Sequence, residues 1–171
     1  MNQRILTLLC TMLALTQIPT VFAAEVGSKA PDCELSSIND KQRYNLQQFH
    51  GKVLYVDFWS SWCPPCAKSF PFMNELDRDL KDSGLQVIAI NLDQTHEDAK
   101  TFLAKYPANF TVAADENEKC ARDFDVKAMP SSYLIDRNGV IRHIHLGFRE
   151  GAAEELRLVA GQLLAEKPEP K

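Results

Sequence analysis

Cys63-Pro64-Pro65-Cys66 is the part of this 171-residue chain best equipped for chemistry. A Cys-x-x-Cys pair can hold a metal, staple a loop or shuttle two electrons as dithiol and disulfide. The surroundings discriminate between these uses. The preceding run Val53 to Trp59 (VLYVDFW) is almost continuously apolar, rich in β-branched and aromatic residues, as in a strand buried on both faces. Behind the cysteines, Phe70, Met73, Leu76 and Leu80 recur at helical spacing until Ser83-Gly84 ends the pattern, with Pro71 expected to kink it. Cys63 therefore leaves a buried strand and opens a helix. Unsatisfied N–H groups and the positive end of the helix dipole bias a cysteine there towards thiolate, the reactive form. Cys66 follows one turn later on the same face, within reach of a disulfide. Pro64 falls near the first helical position, where its fixed φ fits and its missing N–H costs little.

The competing uses fare worse. Zinc wants four ligands, usually a second Cys-x-x-Cys or a histidine pair, and no metal site is called for here. His143 and His145 alternate on an expected edge strand and read as a solvated face. Two thiolates could hold Cu(I), normally with a histidine, but His50, His96, His143 and His145 have no distinguishing context. A purely structural disulfide has no need of so tight a loop at the mouth of a sheet. Redox chemistry is the reading, with no cofactor. Asp57 interrupts the apolar strand. An unpaired carboxylate there is costly, so its pKa should rise and it can store a proton.

Other elements must position this pair. Val26 to Ser37 reads as an irregular, partly extended lead-in, and Leu46 to His50 as a helical turn. Leu85 to Leu92 (LQVIAINL) is a second buried strand. Glu97 to Tyr106 is a helix with Thr95 as its N-cap and Pro107 just past its end. A short strand over 110–113 and a short helix over 116–124 follow. Ser132–Asp136 and Val140–Leu146 form a hairpin signalled by Asn138-Gly139, and Glu150–Ala165 is a closing amphipathic helix. The order predicts an α/β fold: a central mixed sheet with helices on both faces, parallel first and antiparallel at one edge.

Composition bounds the rest. With 45% hydrophobic and 25% charged residues, the chain is ordinary globular material for one domain. A net charge of −4 and the lack of a basic stripe argue against a nucleic-acid partner. Residues 1–23 read as a signal peptide. Arg4 lies in a short n-region, Ile5 to Leu15 form an apolar stretch too short to span a bilayer comfortably, and Val21-Phe22-Ala23 fits a cleavage site. Cys10 sits inside the apolar stretch, which disfavours a lipoprotein anchor. The domain then covers 24–166, and 167–171 should be a disordered tail. Export to the periplasm leaves Cys33, Cys63, Cys66 and Cys120, an even count that permits two disulfides.

"VDFWSSWCPPC" resembles the active-site segment of thioredoxins. The larger pattern of "GSKAPDCEL", "LQQFHGKVLYVDFWSSWCPPC", "LQVIAINLD", "FDVKAMPSSYLIDRNGVI" and "LGF" resembles the exported TlpA/ResA/DsbE-type thiol–disulfide oxidoreductases, a branch related to the AhpC/TSA peroxiredoxins. The resemblance runs from Val26 to about Leu164. It implies a thioredoxin-like fold with an N-terminal extension and a βα insertion. It also implies Cys63 as exposed nucleophile, Cys66 as resolving thiol, and Asp57 as the buried acid behind them. Pro130 would be a cis-proline beside the site, Met129 would offer backbone groups to a substrate peptide, and Trp62 would cover the disulfide. Partners would be oxidised periplasmic protein substrates and a membrane electron donor. Some relatives join the regions of Cys33 and Cys120 by a structural disulfide; two buried free thiols are the alternative. The chain departs at Ser69, where many ResA-type members carry glutamate, which weakens transfer of a cytochrome-maturation role. A Cu(I) carrier of thioredoxin shape and a thiol peroxidase are the competing functions.

Overall fold

Strand β3 (Val53–Trp59) is buried along its whole length, and the rest of the sheet is assembled around it. The computed structural model describes residues 24–39 and 42–167, so the expected signal segment, and all of the expected tail except Lys167, lie outside the described residues. β3 pairs in parallel with β4 (Leu85–Asn91), which pairs in parallel with β5 (Thr111–Ala114). On its other side β3 is antiparallel to β6 (Ser131–Ile135), which is antiparallel to the edge strand β7 (Ile141–Leu146). The parallel pairs require helical crossovers, supplied by α1 (Pro64–Leu80) and α2 (His96–Lys105). The short α3 (Lys119–Asp123) follows β5, and α4 (Ala152–Ala165) closes the chain.

The N-terminal segment departs from expectation. The lead-in forms β1 (Glu34–Ser37), paired antiparallel with both β5 and β2 (Arg43–Asn45). The seven-stranded order is therefore β2-β1-β5-β4-β3-β6-β7, antiparallel at both edges rather than one. With only four and three residues, β1 and β2 are too short to show a periodicity, and what orders them is the exposed edge of β5. Asn138-Gly139 does mark a hairpin, but only Gly139 takes a positive φ, 76°. Asp136 Oδ1 accepts the N–H groups of Asn138 and Val140, so the connection is longer than the two-residue mirror-image turn. Helix ends differ from the sequence reading by up to three residues, most at the start of α3.

Alternation along β3 divides the interior in two. Val53, Tyr55 and Trp59 pack with α1, α2 and α4, while Leu54, Val56 and Phe58 pack with α3, Phe124 and the N-terminal segment. Phe70 of α1 sits in an aromatic cluster, 4.9 Å from Trp59, 4.9 Å from Phe102 of α2 and 5.6 Å from Phe110 between ring centroids. These contacts fix the start of α1 against the end of β3. Phe70→Ala should lower the unfolding free energy by about 3–5 kcal/mol in denaturant melts. A loss well under 1 kcal/mol would show that α1 is held by something else.

Candidate active site

Three local features build the turn that carries the cysteines. Cys63 N–H donates to Ser60 O at 3.2 Å, closing the turn that leaves β3. Ser61 donates its N–H to both carboxylate oxygens of Asp93 (3.1 and 3.0 Å) and its hydroxyl to Oδ1 (3.1 Å). Asn91 Nδ2 steadies that carboxylate at 2.9 Å, and Asp93 N–H returns a bond to Asn91 Oδ1. The end of β4 thus holds the loop in front of Cys63, a role for Asp93 that the sequence reading missed. Trp62, with no place in the turn's interior, is 69% exposed.

Cys63 caps α1, and Pro64 and Pro65 occupy its first two positions, so the first N–H in the helix belongs to Cys66. It donates to Cys63 Sγ at 3.2 Å. The two sulfurs are bonded, with the Cα atoms 5.3 Å apart. Cys63 was expected to be exposed, yet the whole residue is only 4% accessible. It nevertheless lines an open groove with Ser61, Trp62, Pro64, Phe102 and Tyr106. Cys66 is wholly buried beneath it. The pair is asymmetric: Cys63 lines the groove and Cys66 does not. Ser69 is fully buried and spends its hydroxyl on Cys66 O at 3.0 Å.

Asp57 falls on the face of β3 that α1 covers and is fully buried. Ser132, opposite it on β6, donates to Oδ1 at 2.6 Å, and Tyr55 OH donates to Ser132 Oγ at 2.9 Å. Oδ2 has no hydrogen-bond partner. Burial pushes the carboxyl up to about 7, and the Ser132 bond offsets only part of that rise. The same burial, with the Asp57 charge nearby, holds Tyr55 well above its ordinary value, so it stays a neutral donor. Ser132 and Tyr55 escaped the sequence reading because their meeting with Asp57 spans three strand positions on two strands. The one available signal was the alternation in "YVD", which puts Tyr55 and Asp57 on one face.

The Met129–Pro130 peptide is cis, immediately before β6. Pro130 is buried and its carbonyl accepts Gly147 N–H at 2.7 Å. Met129 and Trp62 line a second groove with Leu92, Ala121, Val126 and Lys127, so Trp62 borders both. Cys33 and Cys120 are brought together, sulfur to sulfur at 2.01 Å, where the N-terminal segment crosses α3. The reading of His143 and His145 as a solvated face is corrected: His145 is 7% exposed, and both imidazoles face Glu155 of α4. An edge strand has one unpaired side in the sheet, but α4 covers its face.

The Redoxin family model matches residues 25–159. The chain belongs to the Redoxin family. Within it, the chain is 33% identical over 141 residues to the thiol-disulfide oxidoreductase ResA of Bacillus thuringiensis subsp. konkukian, covering 80% of this chain and 81% of that one. A solved structure from Chlorobium tepidum, assigned as a thiol:disulfide interchange protein DsbE, is 43% identical with a TM-score of 0.80 over 84% of this chain and 100% of that one. The pneumococcal exposed lipoprotein thioredoxin is 26% identical, with a TM-score of 0.67 over 78% and 100%. This Redoxin-family protein is a thiol–disulfide oxidoreductase with a thioredoxin-like fold, and its Cys-x-x-Cys pair is Cys63 and Cys66.

The raised pKa of Asp57 has a measurable consequence. A carboxyl that titrates near 7 folded and near 3.8 unfolded binds its proton more tightly in the native state. Stability contributed by the protonated form is therefore present at low pH and lost as pH rises through 7. The full cost above pH 7 is on the order of 4 kcal/mol. Asp57→Asn removes that slope, so the variant should gain on the wild type between pH 5 and pH 8 in urea melts. Parallel pH profiles for the two proteins would overturn the assignment.

Proposed function

We propose that this oxidoreductase is exported and acts mainly as a reductase of disulfides in periplasmic protein substrates. The observation that carries the reading is the asymmetry of the pair, with Cys63 on the groove and Cys66 sealed behind it. In the reduced protein, Cys63 thiolate attacks a substrate disulfide, one substrate thiolate leaves, and a mixed disulfide forms. Cys66 loses its proton to the Asp57 carboxylate and attacks Cys63 Sγ. The second substrate thiolate leaves, so two electrons have passed from the dithiol to the substrate. Trp62, Met129 and Pro130 form the surface against which the substrate peptide lies. A membrane electron donor must then re-reduce Cys63–Cys66, since a periplasm has no thiol buffer.

The paired prolines support the direction. They withhold two N–H donors from the Cys63 thiolate and leave that of Cys66 as the first in the helix. A thiolate with fewer donors has a higher pKa, and its disulfide is less oxidising. Export is supported by the signal-like residues 1–23 and by the likeness to an exposed lipoprotein thioredoxin. Among the described residues no helix is long and apolar enough to cross a membrane. Apocytochrome c and copper-centre assembly proteins fit as substrates, with Ser69 weakening the first. Cys33–Cys120 serves as a structural staple closing a long loop, worth about 2–5 kcal/mol.

Cys66→Ser should accumulate mixed disulfides through Cys63 in the periplasm, releasable by reductant and identifiable by mass spectrometry. No trapped protein, or trapping that survives Cys63→Ser, would sink the reductase reading. Pro64→His should raise the reduction potential against glutathione by on the order of tens of millivolts, and an unchanged or lower value would refute the role of the prolines.

A further inference from the structure

His143, His145 and Glu155 form a cluster unrelated to the dithiol. The histidines are two apart on β7 and so project from one face, and Glu155 reaches them from the first turn of α4. The single carboxylate serves both rings: Oε1 lies 3.2 Å from His143 Nε2 and Oε2 lies 3.5 Å from His145 Nδ1. One ligand atom from each residue lies within 4.8 Å of the others. Metal bonds of about 2.0–2.2 Å at tetrahedral angles place ligand atoms roughly 3.3 Å apart, and the two nitrogen–oxygen distances, 3.2 and 3.5 Å, lie close to that.

An ion pair alone accounts poorly for this arrangement. His143 Nε2, the ring atom nearest the carboxylate, is shielded from solvent and makes no hydrogen bond, being out of alignment with the oxygen 3.2 Å away. The rings are stacked, 25° between planes with centroids 6.2 Å apart, and both meet the same carboxylate. A single divalent cation instead satisfies both imidazole lone pairs and the carboxylate together.

We propose that His143, His145 and Glu155 bind a divalent first-row transition-metal ion, of which zinc is the working case. Two imidazoles and a carboxylate suit zinc, copper(II) or nickel, and not the all-oxygen preference of magnesium or calcium. Glu155 is half exposed, so water completes the coordination on the solvent side. The bound ion ties the first turn of α4 to the edge strand, independently of the thiol chemistry.

The test uses the full-length, non-reduced chain, alkylated so that no free thiol can compete. Calorimetric titration with Zn²⁺ should give one ion per chain and a rise in Tm. His143→Ala and Glu155→Gln, both at partly accessible positions, should each weaken binding about tenfold or more while leaving the circular dichroism spectrum and disulfide reductase activity unchanged. Cu²⁺ should show the same dependence on both residues. The absence of saturable Zn²⁺ uptake, or uptake indifferent to both substitutions, overturns the proposal and leaves the cluster an ion pair.

Discussion

Everything in this molecule hangs on β3 being buried from end to end. A strand covered on both faces and paired on both edges cannot slip, because a one-residue shift would move every side chain to the other face. Its C-terminal end is therefore a fixed point, and Cys63 is four residues beyond it. The aromatic cluster of Trp59, Phe70 and Phe102 fixes the next element in turn, so the helix that carries Cys66 starts where the strand stops. A dithiol whose halves differ in exposure needs this rigidity more than it needs any particular neighbour.

The same burial makes Asp57 costly, and the protein answers with one hydrogen bond instead of a counter-charge. Ser132 satisfies Oδ1, Tyr55 satisfies Ser132, and Oδ2 is left without a partner. A lysine or arginine in Ser132's place would hold the carboxyl ionised at every relevant pH. A neutral donor leaves the balance to desolvation, which brings the pKa to about 7, near the range where a group can both take and return a proton. Ser69, where many relatives carry glutamate, adds no second acid, since its hydroxyl bonds a backbone carbonyl.

What could be read from the sequence follows the range of each interaction. The strand–turn–helix around Cys63 was legible because every cue lies in one continuous stretch, Val53 to Leu80: apolar run, cysteine spacing, prolines, helical periodicity. Asp57 was legible as an anomaly against its own strand. Pro130 needed the family pattern, since nothing local separates it from a loop proline. The partners of these residues were not legible. Ser132 meets Asp57 across 75 positions and Asp93 meets Ser61 across 32, and both pairings depend on strand register rather than on composition. The β1–β2 hairpin was missed for a related reason, being shorter than any period and ordered by the edge of β5.

Register also explains why His143 and His145 looked unremarkable in the sequence. Alternation gave their common face correctly, but whether that face meets water or a helix is decided by where α4 returns. Gly151, at φ 84°, turns the chain into α4 five residues after β7 ends, and Leu156, fully buried, pins the helix against the sheet. Glu155 precedes that anchor by one residue and is carried to the imidazoles. In the same rows, His145 lies opposite Ser132, and Ser132 opposite Asp57. Asp57 and the histidine cluster thus share one face of one sheet, two strand spacings or about 10 Å apart. One scaffold, fixed by β3, sets the position of both.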